Sequence, residues 1–192
     1  MSEDLCFLSA VELRARVGRK EVSPVEVTRA TLARAEQLQG KLNCFITLCG
    51  DEAMAAAQVA QRKLMAGEPL GLLHGLPLTV KDIVNTRGVR TTFGAVPYQD
   101  NVPDHDAVAV ARLRAQGAIL IGKTTTPEFG SKCLTDSPLF GRTRNAGARA
   151  APLAARAAVR RPRWRAASRR LRLRPMAAAR PGFPPPATAW SG

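Results

Sequence analysis

The stretch Leu73-His74-Gly75-Leu76-Pro77-Leu78-Thr79-Val80-Lys81-Asp82 governs the reading of the chain. A glycine-bearing turn delivers a short apolar run, 76–80, of the kind that forms a buried strand, and a lysine follows it directly. Burying an ammonium is costly unless the group is partnered or neutral. A desolvated lysine has a lowered pKa and can act as a base. The alternative is a salt bridge to the adjacent Asp82 or a solvated strand end, and spacing alone leaves both open.

Working outward, Ser9 with Glu12 three residues later predicts a capping box and a short helix that stops at Gly18. Ser23-Pro24 with Glu26 predicts the start of a second helix, whose apolar stripe Val27, Leu32, Ala35 and Leu38 ends near Gly40. The β-branched and aromatic run 44–48 reads as a strand. Asp51 is placed to cap an Ala-rich helix reaching about Met65. Residues 106–116 read as a helix stopped by Gly117, and 118–121 as a strand of the parallel-sheet type. Helices alternating with short buried strands predict an α/β fold.

The composition breaks at Asn145. Residues 146–192 contain no Asp, Glu or Lys, yet 11 of the chain's 29 basic residues fall there as Arg. Residues 1–145 therefore hold 18 basic against 15 acidic side chains, and the net charge of +14 belongs mostly to the tail. A uniformly basic, nucleic-acid-binding protein is not the right description of the body. Two domains of unlike character are expected: 1–145, an enzyme-like body, and 146–192, a disordered basic tail. Cys6, Cys44, Cys49 and Cys133 show neither C-x-x-C nor zinc spacing, so reduced thiols are expected rather than a disulfide framework or metal site. The acidic start, Met1-Ser2-Glu3-Asp4, lacks an apolar signal region, and no apolar run reaches membrane-spanning length, which predicts a cytoplasmic protein.

The 73–82 stretch resembles the lysine motif of the amidase signature family. The likeness continues in order through Gly88–Thr92, Gly117–Phe129, Asp136–Gly141, Thr143, Arg144 and Asn145. One departure is Thr125, where the family more often has Asn. The resemblance implies a mixed sheet surrounded by helices, of which this chain holds the N-terminal part. It also implies hydrolysis of a carboxamide to acid and amine or ammonia by a Ser–cis-Ser–Lys triad, without metal or cofactor. In that triad a neutral lysine, here Lys81, takes a proton from a bridging serine, which activates a second serine to attack the amide carbonyl. Backbone N–H groups of a Gly-rich loop stabilise the oxyanion. The family carries its serines in G-G-S-S-G-G and D-G-G-G-S-x-R-I-P stretches, and neither is present. After Asn145 the family has Pro-Trp; this chain has Ala146-Gly147. His74 reads as a structural hydrogen-bonding residue and His105 as part of a polar loop capping the next helix rather than a metal ligand. Ser131 and Ser137 read as structural.

Codon degeneracy points to a shifted reading frame. Joining the last base of each codon to the first two of the next, from the Ala146/Gly147 junction, permits W-S-P-G-R-T-A-G-G-S-S-G-G. From the Arg172/Leu173 junction it permits L-A-T-D-G-G-G-S-T-R-I-P. Both missing motifs return in the family's order. Met176 has one codon, so Met176-Ala177 must yield glycine. The serine pair falls across Ala155, Arg156 and Ala157, and the nucleophile across Ala179 and Arg180. One lost base with one substitution accounts for the junction.

The expectation is thus an amide hydrolase acting on a small-molecule amide, inactive as written because Lys81 is the one triad member it retains. A glutamyl-tRNA amidotransferase A subunit is the alternative within the family, although Asp136-Ser137-Pro138-Leu139-Phe140-Gly141 looks more like general amidases. The alternative outside it is a noncatalytic protein whose arm, from Arg160 to Arg174 around Trp164, binds nucleic acid. On either account weak, nonspecific nucleic-acid binding by the tail is expected, with no membrane association. The sequence sets no oligomeric state.

Overall fold

A three-stranded mixed sheet with helices against both faces carries residues 5–146, the part that the computed structural model describes. The tail, with its expected disorder and basic arm, lies outside these residues. The described elements run α1 Ala10–Gly18, α2 Pro24–Leu42, β1 Phe45–Leu48, α3 Gly50–Ala66, β2 Pro77–Lys81, α4 Val108–Ala115, β3 Ile119–Thr124, β4 Asp136–Ser137 and β5 Gly141–Arg142. The sheet order is β1-β3-β2, with β3 antiparallel to β1 and parallel to β2. The expected α/β class is thereby met, and the strand expected over 118–121 is the central one, extending to Thr124.

Local chemistry explains most boundaries. Ser23 forms the full reciprocal cap: its Oγ accepts from Glu26 N at 3.0 Å and its N–H donates to Glu26 Oε2 at 2.8 Å. Ser9 forms only half of the expected box. Its Oγ accepts from Glu12 N, but the Glu12 carboxylate turns to Arg16 at 2.8 Å, the i,i+4 partner that a mid-helix position offers. Helix α2 runs through Gly40 and ends at Asn43, whose left-handed φ of 51° closes it. Cys49, not Asp51, stands at the N-cap of α3; Asp51 sits in the first turn, where a carboxylate still favours the helix dipole. Helix α4 starts at Val108, two residues after the expected start, because the Asp106 carboxylate is drawn to the Arg87 N–H at 2.7 Å and to Arg114 at 3.1 Å.

The sheet's two faces bury different sets. Ile119 and Ile121 pack with Leu32 of α2 and with Ala53, Ala57 and Ala60 of α3. The alanine stripe lets α3 lie close to the sheet. Leu120 and Val80 pack with Cys49 and with Val110 of α4. A third cluster, Leu13, Val17, Val27, Leu64 and Leu76, ties α1 to the body. Among the described residues no helix is long and apolar enough to cross a membrane.

The β1–β3 pair depends on a missing side chain. A Cβ on Gly122 would collide with the Thr47 carbonyl oxygen and lie 3.2 Å from Leu48 Cα. Backbone atoms of a paired strand have little room to retreat. Gly122→Ala is therefore expected to lower stability by about 1–3 kcal/mol through overpacking, read as a fall in the urea midpoint. An unchanged midpoint would show that the strand spacing yields freely.

Candidate active site

Lys81 ends β2, in register with Thr124 of the parallel neighbour β3. The backbone there is held from several sides: Asp82 N donates to Thr124 O at 2.9 Å, and Val84 N donates to Lys81 O at 3.0 Å. Lys81 is half-buried, and its side-chain nitrogen meets no hydrogen-bond or ion-pair partner among the described residues. The salt bridge to Asp82 that the sequence left open does not form. Asp82 is fully buried, and its Oδ2 accepts from Thr92 N at 3.0 Å and from Thr92 Oγ1 at 2.5 Å. Burial pushes the Asp82 carboxyl above its ordinary range, against the Thr92 hydrogen bonds and the Lys123 charge that pull it down.

The loop after Asp82 returns to the strand end, where Phe93 N donates to Asp82 O at 3.1 Å. Phe93 and Phe129 both adopt positive φ, 54° and 48°, a conformation that costs a side-chain-bearing residue about 1–2 kcal/mol. They are linked by a 2.7 Å bond from Phe129 N to Phe93 O, and their rings lie near-parallel with centroids 6.0 Å apart. Tyr98 packs edge-on against both. A strained aromatic corner thus borders the Lys81 strand end. Nothing in the residue pattern of 93–98 or 127–130 marks it beyond the glycines at 94 and 130.

The buried lysine is Lys123 of β3, with 0 % exposure. It lies within the motif, and the sequence pattern assigns it no part. The signal is there all the same, because Lys123 closes an apolar strand run as Lys81 does. Its Nζ donates to Val84 O at 2.5 Å, Thr91 Oγ1 at 2.8 Å and Thr86 Oγ1 at 2.9 Å. Burial pulls the Lys123 pKa from its usual 10.5 down to about 8, with the Asp82 carboxylate as the largest opposing influence. Between those two values the unfolded chain binds the proton and the folded chain does not. The Lys123 contribution to stability therefore rises with pH across that window. Urea midpoints of the natural chain and of Lys123→Met are expected to diverge in the natural chain's favour from pH 8 to 10; convergence would contradict the assignment.

The remaining candidates fall where the sequence put them, with one change of detail. His74 is buried, and its Nε2 lies 2.9 Å from Ala60 O. A carbonyl only accepts, so Nε2 carries the hydrogen. His105 is exposed and lies 2.7 Å from Asp104 and 3.1 Å from Asn85 Nδ2. This polar loop precedes α4 without capping it by a side chain. Ser131 Oγ donates to Glu128 O at 2.7 Å, and Ser137 Oγ donates to Gly94 O at 2.6 Å. Thr125, where the family more often has Asn, bonds Thr143 Oγ1 at 2.8 Å within the core. The four cysteines are free thiols.

Comparison with known proteins places this arrangement. The Amidase family model matches residues 26–151, ending close to the compositional break at Asn145. The chain is 43% identical over 142 residues to the A subunit of glutamyl-tRNA(Gln) amidotransferase of Geobacter metallireducens, covering 74% of this chain and 29% of that one. It is 38% identical over 143 residues to an acylamidase of Rhodococcus erythropolis, covering 74% of this chain and 30% of that one. A bacterial aryl acylamidase of solved structure superposes with a TM-score of 0.69 at 31% identity, over 72% of this chain and 29% of its own. The match thus spans under a third of each relative's length. With a family model over most of its length and this fold, the chain belongs to the amidase signature family.

Proposed function

We propose that this chain carries the lysine-bearing N-terminal part of an amide hydrolase, with Lys81 as the base of a Ser–cis-Ser–Lys triad. The observation that carries the reading is the half-buried Lys81 amino group at the end of β2, without a partner among the described residues, while Asp82 beside it is fully buried and bonded to Thr92. An amine held at a fixed strand end and left unpartnered is available to exchange a proton with a serine hydroxyl. In the proposed reaction Lys81 takes the bridging serine's proton, and that serine takes the nucleophile's as its oxygen attacks the amide carbonyl. The proton then passes to the leaving nitrogen as the C–N bond breaks, and water hydrolyses the acyl-serine. The written sequence supplies neither serine motif, so the chain as it stands is inactive on this reading. Both motifs are permitted in the shifted frame after Asn145. The test is amide hydrolysis by the frame-restored protein beside its Lys81→Ala form.

A second reading, as the A subunit of an amidotransferase, is favoured by the 43% identity to a protein so named. The two separate on assay: the first requires turnover of simple aryl or alkyl amides, the second amide transfer to glutamyl-tRNA(Gln).

A further inference from the structure

The contacts of Lys123 form a cation site in which the cation is a side chain. Its three acceptors are Val84 O, Thr86 Oγ1 and Thr91 Oγ1. Both hydroxyls have already committed their protons: Thr86 Oγ1 donates to Val84 O at 3.1 Å and Thr91 Oγ1 to Val89 O at 3.1 Å. Their lone pairs, with the Val84 carbonyl, are what remains to face the nitrogen. Below about pH 8, where Lys123 is protonated, its ammonium offers one N–H to each of the three acceptors. The counter-charge is Asp82, buried in the same loop, with Oδ2 on Thr92 and Oδ1 without a hydrogen-bond partner. The loop that starts directly after Lys81 thus carries the anion and supplies all three of these acceptors to the cation from β3.

A short chain of bonds connects Lys123 to Lys81. Lys123 Nζ holds Val84 O, and the N–H of the same residue donates to Lys81 O. Asp82 N is bonded to Thr124 O, next to Lys123 in sequence, and Phe93 N returns to Asp82 O. Remove the ammonium, and three inward-facing acceptors lose their donor together; buried groups left so are expensive. The loop must then rearrange, and the Lys81 peptide is its first hinge.

We propose that Lys123 is a positioning residue for Lys81: its buried ammonium stands where a bound cation would stand at the centre of the 82–93 loop and, through Val84, fixes the main chain from which the Lys81 side chain projects. The proposal rests on the reading of Lys81 as the base, and its test does not use catalysis. In the full 192-residue chain, the rate of reductive methylation of Lys81 by formaldehyde and a borohydride reagent is measured by peptide mass spectrometry, relative to exposed Lys63 on α3. Lys123→Met, close in volume and uncharged, is expected to change the Lys81/Lys63 ratio several-fold and to speed hydrogen exchange at the Val84 amide. Thr86→Val, which removes one acceptor, should move the ratio in the same direction by less. Leu13→Ala, which weakens the apolar cluster around α1, no member of which lies in the 82–93 loop, should lower the urea midpoint and leave the ratio unchanged. An unchanged ratio in a folded Lys123→Met chain overturns the proposal, as does an equal change in Leu13→Ala. Should Lys123→Met not fold, Thr86→Val decides, and an unchanged ratio there overturns it. Failure of the base assignment would appear elsewhere, as hydrolysis persisting in frame-restored Lys81→Ala, and would leave the labelling ratios as they are.

Discussion

Restoring one base at codon 146, with the codon set to Pro, is expected to confer amide hydrolysis that the written chain lacks in the same assay. The written chain should turn over no aryl or alkyl amide above buffer, since it lacks both hydroxyls through which Lys81 would act. On the shifted-frame reading, insertion would return Pro-Trp after Asn145, then a serine pair across Ala155, Arg156 and Ala157, then the glycine-rich loop and the nucleophile across Ala179 and Arg180. These parts act as a unit. Triads on other folds lose a factor on the order of 10⁴–10⁶ when a member is removed, so the gain on restoring two members and the oxyanion loop should be of that order. The restored gene must also encode the remaining length of the relatives, of which the match covers only 29% and 30%. The measurement is hydrolysis across a panel of amides by the restored full-length product beside the written chain. A stop codon soon after the insertion, or a folded product inactive on every amide, would end the shifted-frame account.

How much of this is legible in the sequence depends on whether the determinant is local. Ser23-Pro24 with Glu26 announces its helix because the cap is written in four consecutive residues, and it forms as expected. Ser9 and Glu12 carry the same pattern, but Arg16 one turn on competes for the carboxylate, and no cap rule weighs that competition. Asp51 and Asp106 read as helix-start residues for their type. Asp106 instead serves Arg87 and Arg114, partners 19 and 8 residues away. Lys81 stands out through a motif and a local argument about burial. The local argument describes Lys123 better: it is the fully buried lysine, and its acceptors lie 32 to 39 residues upstream in a loop whose closure no spacing reveals. The positive-φ phenylalanines escape for a related reason. Their conformation accompanies a contact between segments 36 residues apart, the bond from Phe129 N to Phe93 O, which neither residue's own preference announces.

In the frame-restored protein, Lys81→Ala is expected to abolish amide hydrolysis while leaving the fold in place. The two halves of that statement rest on different observations. Fold retention follows from the environment of Lys81: its side chain is half-buried and bonded to nothing among the described residues, and the strand end is held by main-chain bonds that alanine keeps. No buried acceptor is orphaned, so the change in stability should stay small, within about 0.5 kcal/mol as for surface positions away from special features. Loss of activity follows from the chemistry. Without an amine at this position the bridging serine has nowhere to send its proton, and the nucleophile stays a neutral hydroxyl; the expected fall in kcat/KM is on the order of 10⁴ or more. Lys123→Met supplies the contrast. It should cost stability through three orphaned acceptors and weaken hydrolysis by displacing Lys81, with the amine still present. Equal loss in the two variants together with equal unfolding would make Lys81 a structural residue. Full activity in a folded Lys81→Ala protein would remove it from the reaction altogether.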